Sequence, residues 1–240
     1  MGESDGQRMR LRLTSHRVGD TGHRLDRVLS SGPLLRNTHL HPPDQRVGFL
    51  RAPRADLLRL GALFRIAATG PHSAVHVPVP PDAPPLVHGH VETPAVPLLI
   101  ARTDTGLRPS DWPALRRRMR RTGTPLTVTA PAPRPDHCSD AVHRLSLRHP
   151  ARFTEHAGTV VLTARPELLF QLGDLLTRAG DTVATDREIH RRGESCLDDL
   201  VGFFDPRHTD DPMHALCVVA VDPIFHQARW QHRPGAATAP

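Results

Sequence analysis

The strongest hydrophobic pattern in the chain lies between Thr159 and Ala179. Leucine and alanine recur there at the spacing of one helix face, at Leu168, Leu169, Leu172, Leu175, Leu176 and Ala179. The β-branched run that begins at Thr159 favours a strand, and Pro166 stands where the first turn of a helix tolerates a missing N–H. The opposite helix face carries polar residues, namely Glu167, Gln171, Asp174, Thr177 and Arg178. The stretch therefore predicts a strand, a tight turn and an amphipathic helix.

The same pattern occurs 112 positions earlier, between Val47 and Ala67. The matching apolar positions are Leu57, Leu60, Leu63, Phe64 and Ala67, and Gly61 corresponds to Gly173. Downstream, the residues from Val96 to Asp104 resemble those from His214 to Asp222. These matches predict an α+β protein of two tandem related modules, each a mixed or antiparallel sheet packed against one main amphipathic helix.

The composition between these patterns places the module boundaries. We expect a first module with an Arg-rich helix at residues 1–130 and a second module with an acidic insert at 141–232. Residues 131–140 are predicted to be a linker, because proline and polar residues replace the apolar periodicity there. Residues 233–240 are predicted to be a disordered tail.

Shorter patterns predict the remaining elements. Strands are expected at Met9–Thr14, at Pro125–Ala130 and at Ala74–Val79, the last as an edge strand because Pro78 cannot donate to a ladder. Short helices are expected at His23–Leu29 and after Ser195, whose hydroxyl would cap the helix. A further helix is expected to bury three side chains, those of Trp112, Leu115 and Met119.

The positive net charge of the chain says less about function than its magnitude suggests. All 31 basic residues are Arg, and Lys and Tyr are absent, which is typical of a very GC-rich genome such as an actinomycete's. The two halves differ: residues 1–124 hold 19 Arg against 10 Asp and Glu, whereas residues 125–240 hold 12 against 15. With three unevenly spaced cysteines and no apolar span, we expect a reduced cytoplasmic protein that does not cross a membrane.

Three groups of residues carry candidate chemistry. His88, His90 and Glu92 would share one face of a strand and could hold a divalent metal, the basis of a metal-dependent enzyme hypothesis. An arginine cluster could bind nucleic-acid phosphates, at Arg116, Arg117, Arg118, Arg120 and Arg121, although few aromatic residues are present to stack bases. An acidic group in the second half could contact a basic protein partner, at Asp198, Asp199, Asp205, Asp210 and Asp211.

The block TVVLTARPELLFQLGDLLTRA and the later strand ALCVVAVD resemble small α+β immunity proteins of bacterial polymorphic toxin systems. The resemblance implies a non-catalytic protein that binds and inhibits a partner protein. The acidic insert, the Arg-rich helix and the doubling depart from that pattern, and no functional residue carries over. The leading hypothesis is therefore a binding or inhibitory protein without a cofactor, with the metal-dependent enzyme and the nucleic-acid-binding protein as alternatives.

Overall fold

A computed structural model of the chain describes residues 8–19, 24–32, 35, 37–44, 47–79, 86–88, 91–121, 123–134, 145, 148–185, 189, 194–199 and 215–221. These residues form a mixed α+β fold. The strands are β1 Arg10–Arg17, β2 Arg27–Ser30, β3 His39–Asp44, β4 Val47–Ala52, β5 Ser73–Val77, β6 Leu86–His88, β7 Val91–Thr93, β8 Leu98–Arg102, β9 Thr124–Thr129, β10 Arg152–His156, β11 Thr159–Ala164, β12 Glu194–Asp199 and β13 Ala215–Val221. The α-helices are α1 Arg54–Thr69, α2 Trp112–Met119 and α3 Pro166–Val183.

The largest layer is a seven-stranded sheet in the order β10-β11-β8-β5-β2-β1-β9. Within it β11 pairs with β8 and β2 with β5 in parallel, whereas the other neighbours are antiparallel. A four-stranded sheet has the order β12-β13-β4-β3, in which only β13 and β4 are parallel. β6 and β7 form a separate antiparallel hairpin.

Each of the two larger sheets contains strands from both sides of residues 131–140. β11 precedes α3 and pairs with β8, with Val160 opposite Leu98, while β4 precedes α1 and pairs with β13, with Gly48 opposite Leu216. Val160 follows Gly48 by 112 positions and Leu216 follows Leu98 by 118 positions, so the two pairings have corresponding registers. The predicted module and linker boundaries stay a prediction.

The core forms where α1 and α3 pack against each other. One continuous set of buried side chains includes Leu57 and Leu60 of α1, Leu169 of α3, Ile100 of the larger sheet and Val218 of the smaller one. The predicted strand, turn and helix at 159–179 are confirmed. Two side chains assigned to the polar face, Gln171 and Asp174, are buried, because the residues around α3 enclose it on more than one side.

α2 covers the opposite face of the seven-stranded sheet. Trp112 and Leu115 are buried in a second apolar cluster with Val28 and Leu99, and Met119 packs against it. The predicted inner face of this helix is therefore confirmed. Among the described residues, no helix has the length and apolar character needed to cross a bilayer.

Three predicted elements are wrong. The segment His23–Leu29 contains the start of β2 instead of a helix, because Val28 and Leu29 are buried on opposite faces of a sheet. β5 is an interior strand that ends at Val77, so Pro78 lies beyond the ladder. The residues Glu194–Asp199 form β12 instead of the first turn of a helix, because they pair with β13.

Candidate functional site

The acidic group lies mostly beyond what the structure describes. Asp205, Asp210 and Asp211 fall outside the described residues. Asp198 and Asp199 belong to β12, the strand that ends the four-stranded sheet, and they pair with Val218 and Cys217 of β13. Their role in partner binding stays a prediction.

The proposed metal site rests on a wrong premise about the backbone. His88 and Glu92 do not share one strand: His88 ends β6 and Glu92 lies in β7, because the chain reverses between them. In the hairpin His88 pairs with Val91, and Glu92 pairs with Val87, while His90 lies outside the described residues. Within the described ranges, no group of three or more His, Cys, Asp or Glu side chains is placed to hold a metal ion.

The arginines of α2 and of the turn after it are exposed, at Arg116, Arg117, Arg118, Arg120 and Arg121. Arg118 donates a hydrogen bond through Nη1 to the carbonyl of Val18, which ties the helix to the end of β1. Trp112 is 0% exposed, so its ring is not available to stack on a base. The arrangement therefore lacks the aromatic part of a single-strand binding surface at this helix.

A part-buried polar cluster lies beneath α2. His76 of β5 lies with its ring centroid 5.2 Å from that of Trp112, and its Nδ1 is 3.5 Å from Ser30 Oγ. Burial, with smaller contributions from the nearby charges of Arg116 and His16, lowers the pKa of His76 to about 4. The Ser30–His76 contact is longer than the 2.6–3.2 Å or so of an activated nucleophile, and α2 covers it. The cluster therefore belongs to the packed layer between α2 and the seven-stranded sheet.

The outer edge of β9 is an accessible candidate for binding, because most residues of this strand are exposed. Among the strands that the structure describes, β9 ends the seven-stranded sheet and pairs only with β1. The N–H of Ala130 donates to the carbonyl of Met9 at 2.8 Å, which makes Met9 and Ala130 a hydrogen-bonded pair. Since bonded and non-bonded pairs alternate in an antiparallel ladder, the N–H and C=O groups of Thr127 and Thr129 point to the outer edge.

Pro125 lies two residues before Thr127, so its backbone nitrogen also points to the outer edge. Its missing N–H therefore costs no bond to β1, as is usual for proline in an edge strand. From Thr127 to Thr129 the outer edge keeps its donors and acceptors. We refer to this outer row, from Pro125 to Thr129, as the β9 edge.

The β9 edge differs from the other sheet edges in composition. Of the four described strands that end the two larger sheets, β9 alone has no charged residue. The strand at the opposite end of its sheet, β10, carries Arg152 and Glu155. Charged residues on an edge strand discourage pairing with another chain. Within β9 itself, Pro125 is the one residue of a type that protects an edge, and it lies near one end of the strand.

A groove of about 270 Å³ adjoins β9 on the side of α1. Leu126 and Val128 of β9 line it, together with Leu29 of β2 and Ile66 and Thr69 of α1. Leu126 is 38% exposed. Among the described residues it is the one large apolar side chain that is exposed. Among the described residues that line the groove there is no Asp or Glu, whereas Arg27 is one of them.

Arginines flank the β9 edge on both faces of the sheet. On the groove face Arg27 lies directly opposite Arg17, so two like charges face each other across a strand pair. On the other face Arg10 and Arg12 pair with Thr129 and Thr127, and both arginines are exposed. None of these four arginines has an ion-pair partner among the described residues.

Comparisons with protein families, curated proteins and solved structures found no match to this chain. The geometry and chemistry of the β9 edge are therefore the basis for inferring function. The sequence predicted the strand at Pro125–Ala130, but it did not show that this strand ends a sheet. Two signals were present: the proline at its second position and the absence of charge from Thr124 to Thr129.

Proposed function

We propose that this chain is a non-catalytic protein-binding protein that pairs with an extended segment of its partner through the β9 edge. One observation carries the proposal: a strand that ends a seven-stranded sheet has outward N–H and C=O groups and no charged side chain to repel a further strand. Strand addition of this kind supplies affinity through main-chain hydrogen bonds and specificity through alternate side chains.

The groove beside β9 supports the proposal. A strand added beyond β9 places every second side chain next to Leu126 and Val128, which line the groove. Covering Leu126 would remove apolar surface from water, which favours binding at roughly 25 cal/mol for each Å². The edge and the groove therefore act together, one through the backbone and the other through side chains.

The test is a pull-down from lysate of the source cells with three forms of the protein. Thr127→Pro removes an outward N–H without breaking a bond to β1, and Pro125 shows that the strand accepts proline in this phase. Thr127→Val is the matched control, because it removes the hydroxyl and keeps the N–H. We expect a protein that the wild type and Thr127→Val retain and that Thr127→Pro loses.

Equal retention by all three forms would overturn the proposal, as would the absence of any retained protein. Circular dichroism of Thr127→Pro checks that the fold is intact. A lost partner then reports on the β9 edge and not on unfolding.

The acidic second half remains a separate proposal. It holds that Asp198, Asp199, Asp205, Asp210 and Asp211 contact a basic partner, in keeping with an immunity-like inhibitor. The support is the charge of residues 125–240, where Asp and Glu outnumber Arg by 15 to 12. If the Asp→Asn variant at Asp198, Asp199, Asp210 and Asp211 retains the same partner with unchanged affinity, this surface has no part in binding.

We also infer that the fold arose from one βαβ-like unit present twice. Gly61 and Gly173 are 112 positions apart, and so are the strands before α1 and α3. The pairings β11–β8 and β4–β13 also have corresponding registers. β8, which lies after α1 in the chain, pairs with β11, the strand before α3, and β13, which lies after α3, pairs with β4, the strand before α1. Superposition of residues 47–69 on residues 159–181 with their paired strands tests the inference, which fails if helices and strands do not fit together.

A further inference from the structure

We propose that the β9 edge selects an extended protein segment in which apolar and acidic residues alternate. The inference rests on the proposed function and adds the chemistry of the partner. It follows from a difference between the two faces of the sheet beside β9. One face presents the apolar side chains of the groove, and the other presents a pair of arginines.

The register of β1 and β9 places these two sets of side chains in alternation. Leu126 and Val128 lie on the groove face, opposite Leu13 and Leu11. Thr127, the residue between them, lies on the other face. A strand beyond β9 therefore alternates as well, with one residue at the groove and the next beside the threonines.

Arg12 and Arg10 reach the second set of positions. They lie one strand further in, opposite Thr127 and Thr129, and they are exposed. Because threonine is short, the guanidinium groups can extend across β9 toward an added strand, which lies about 4.8 Å beyond it. Acidic side chains at these positions would form charge-assisted hydrogen bonds with the two arginines.

The groove face also favours an acidic partner. Arg27 and Arg17 oppose each other there, an arrangement that destabilises a strand pair unless a negative charge lies nearby. A second copy of this chain is a poor occupant, because pairing β9 with β9 would bring the arginines of both copies together.

The test uses three labelled octapeptides and fluorescence anisotropy. The first is Gly-Val-Glu-Val-Glu-Val-Glu-Gly, and the others carry Lys or Thr in place of Glu. At about 0.05 M salt we expect the Glu peptide to bind at least about tenfold more tightly than the Lys peptide, and we expect this preference to shrink at about 0.5 M salt.

Two variants locate the preference. The double variant Arg10→Gln, Arg12→Gln should reduce the Glu-over-Lys preference to about threefold or less. Arg152→Gln on β10, an exposed arginine in the opposite edge strand, is the matched control and should leave it unchanged. An equal loss with Arg152→Gln would assign the effect to net charge and overturn the proposal.

The remaining outcomes separate this inference from the proposed function. Equal binding of all three peptides would overturn the charge preference and leave strand addition intact. If no peptide binds but the pull-down still depends on Thr127, the alternating chemistry is wrong and the edge still binds protein. If sedimentation shows a dimer that Thr127→Pro dissociates, the edge is occupied by a second copy and the inference fails.

Discussion

Gly61 and Gly173 face each other where α1 crosses α3, and neither position has room for a side chain. A Cβ on Gly61 would lie 2.6 Å from the carbonyl oxygen of Gly173, and a Cβ on Gly173 would lie 2.7 Å from the carbonyl oxygen of Gly61. The obstacle in each case is the backbone of the other helix, which cannot move aside as a flexible side chain can. The two glycines therefore set the distance between the helices.

We expect Gly61→Ala to destabilise the protein by about 1–3 kcal/mol, because overpacking outweighs the gain in helix propensity of about 1 kcal/mol. Gly180→Ala on α3 is the matched control. Its Cβ would meet Leu58 Cδ2 at 3.0 Å, the end of a side chain that can rotate, and the nearest backbone atom, the carbonyl oxygen of Arg54, at 3.3 Å, so the cost should be smaller. Urea denaturation measures both variants, and equal free energies of unfolding for Gly61→Ala and the wild type would contradict this packing.

Arg65 and Asp174 form an ion pair inside the contact between α1 and α3. Their side chains are 4% and 5% exposed, and Arg65 Nη1 lies 3.5 Å from Asp174 Oδ1. The same guanidinium group donates to Thr177 Oγ1 at 2.7 Å, to the carbonyl of Gly173 at 3.1 Å and, through Nε, to the carbonyl of Pro131 at 2.9 Å. Arg65 therefore connects both helices to the segment that follows β9.

We expect Arg65→Met to cost about 3–5 kcal/mol at neutral pH, because it removes the ion-pair partner of the buried carboxylate of Asp174. The double variant with Asp174→Asn should recover part of that loss. Urea denaturation of the two single variants and the double variant gives the coupling energy. A coupling energy near zero would mean that the pair does not stabilise the contact.

The cost of Arg65→Met should also depend on pH. Burial raises the pKa of Asp174, against the opposing effects of Arg134, Arg65 and Arg178. A raised pKa in the folded state means that stability falls as the pH rises from the unfolded toward the folded value. Without Arg65 this interval widens, so the variant should lose less stability at about pH 4 than at about pH 7. The same loss at both values would contradict this account.

His76 predicts a loss of stability in mild acid. Its pKa is about 4 in the folded protein, chiefly because of burial, against about 6.5 in an unfolded chain. Between these values the unfolded chain binds a proton that the folded protein does not, so stability falls as the pH is lowered from about 6.5 to about 4. The contribution is up to about 3 kcal/mol.

His76→Gln should remove this contribution and flatten the pH dependence. Ser30→Ala, which removes only the contact at 3.5 Å, serves as the control and should keep it. NMR titration of the His76 ring gives the folded-state pKa directly. A value near 6.5 would show that the ring is solvated and that α2 does not cover it.

Hydrophobic spacing predicted the parts of the fold that depend on local sequence. The strand and helix from Thr159 onward and the inner face of α2 follow from the positions of leucine and tryptophan. The pairing of strands could not be predicted in this way, because β11 joins β8 and β13 joins β4 across long stretches of chain. β2 was mistaken for a helix because Val28 and Leu29 are both buried, which removes the alternation that identifies a strand.

The candidate site depended on those long-range pairings. The edge prediction at Pro78 is wrong because this proline lies outside β5, whereas Pro125, for which no edge was predicted, lies within the edge strand β9. Asp174 was assigned to a solvated face because helix periodicity does not show a second helix beside it. Likewise, the sequence predicts that His88 and Glu92 share a strand, because no pattern of apolar residues marks the change of chain direction between β6 and β7.

Amide hydrogen exchange along β9 tests the central claim most directly. In the free protein the amides of Leu126 and Val128, which bond to β1, should exchange slowly, whereas those of Thr127 and Thr129 should exchange rapidly. Addition of the Glu peptide should slow exchange at Thr127 and Thr129 while leaving Leu126 and Val128 nearly unchanged. Slow exchange at Thr127 and Thr129 in the free protein would contradict the account, because the edge would already be paired.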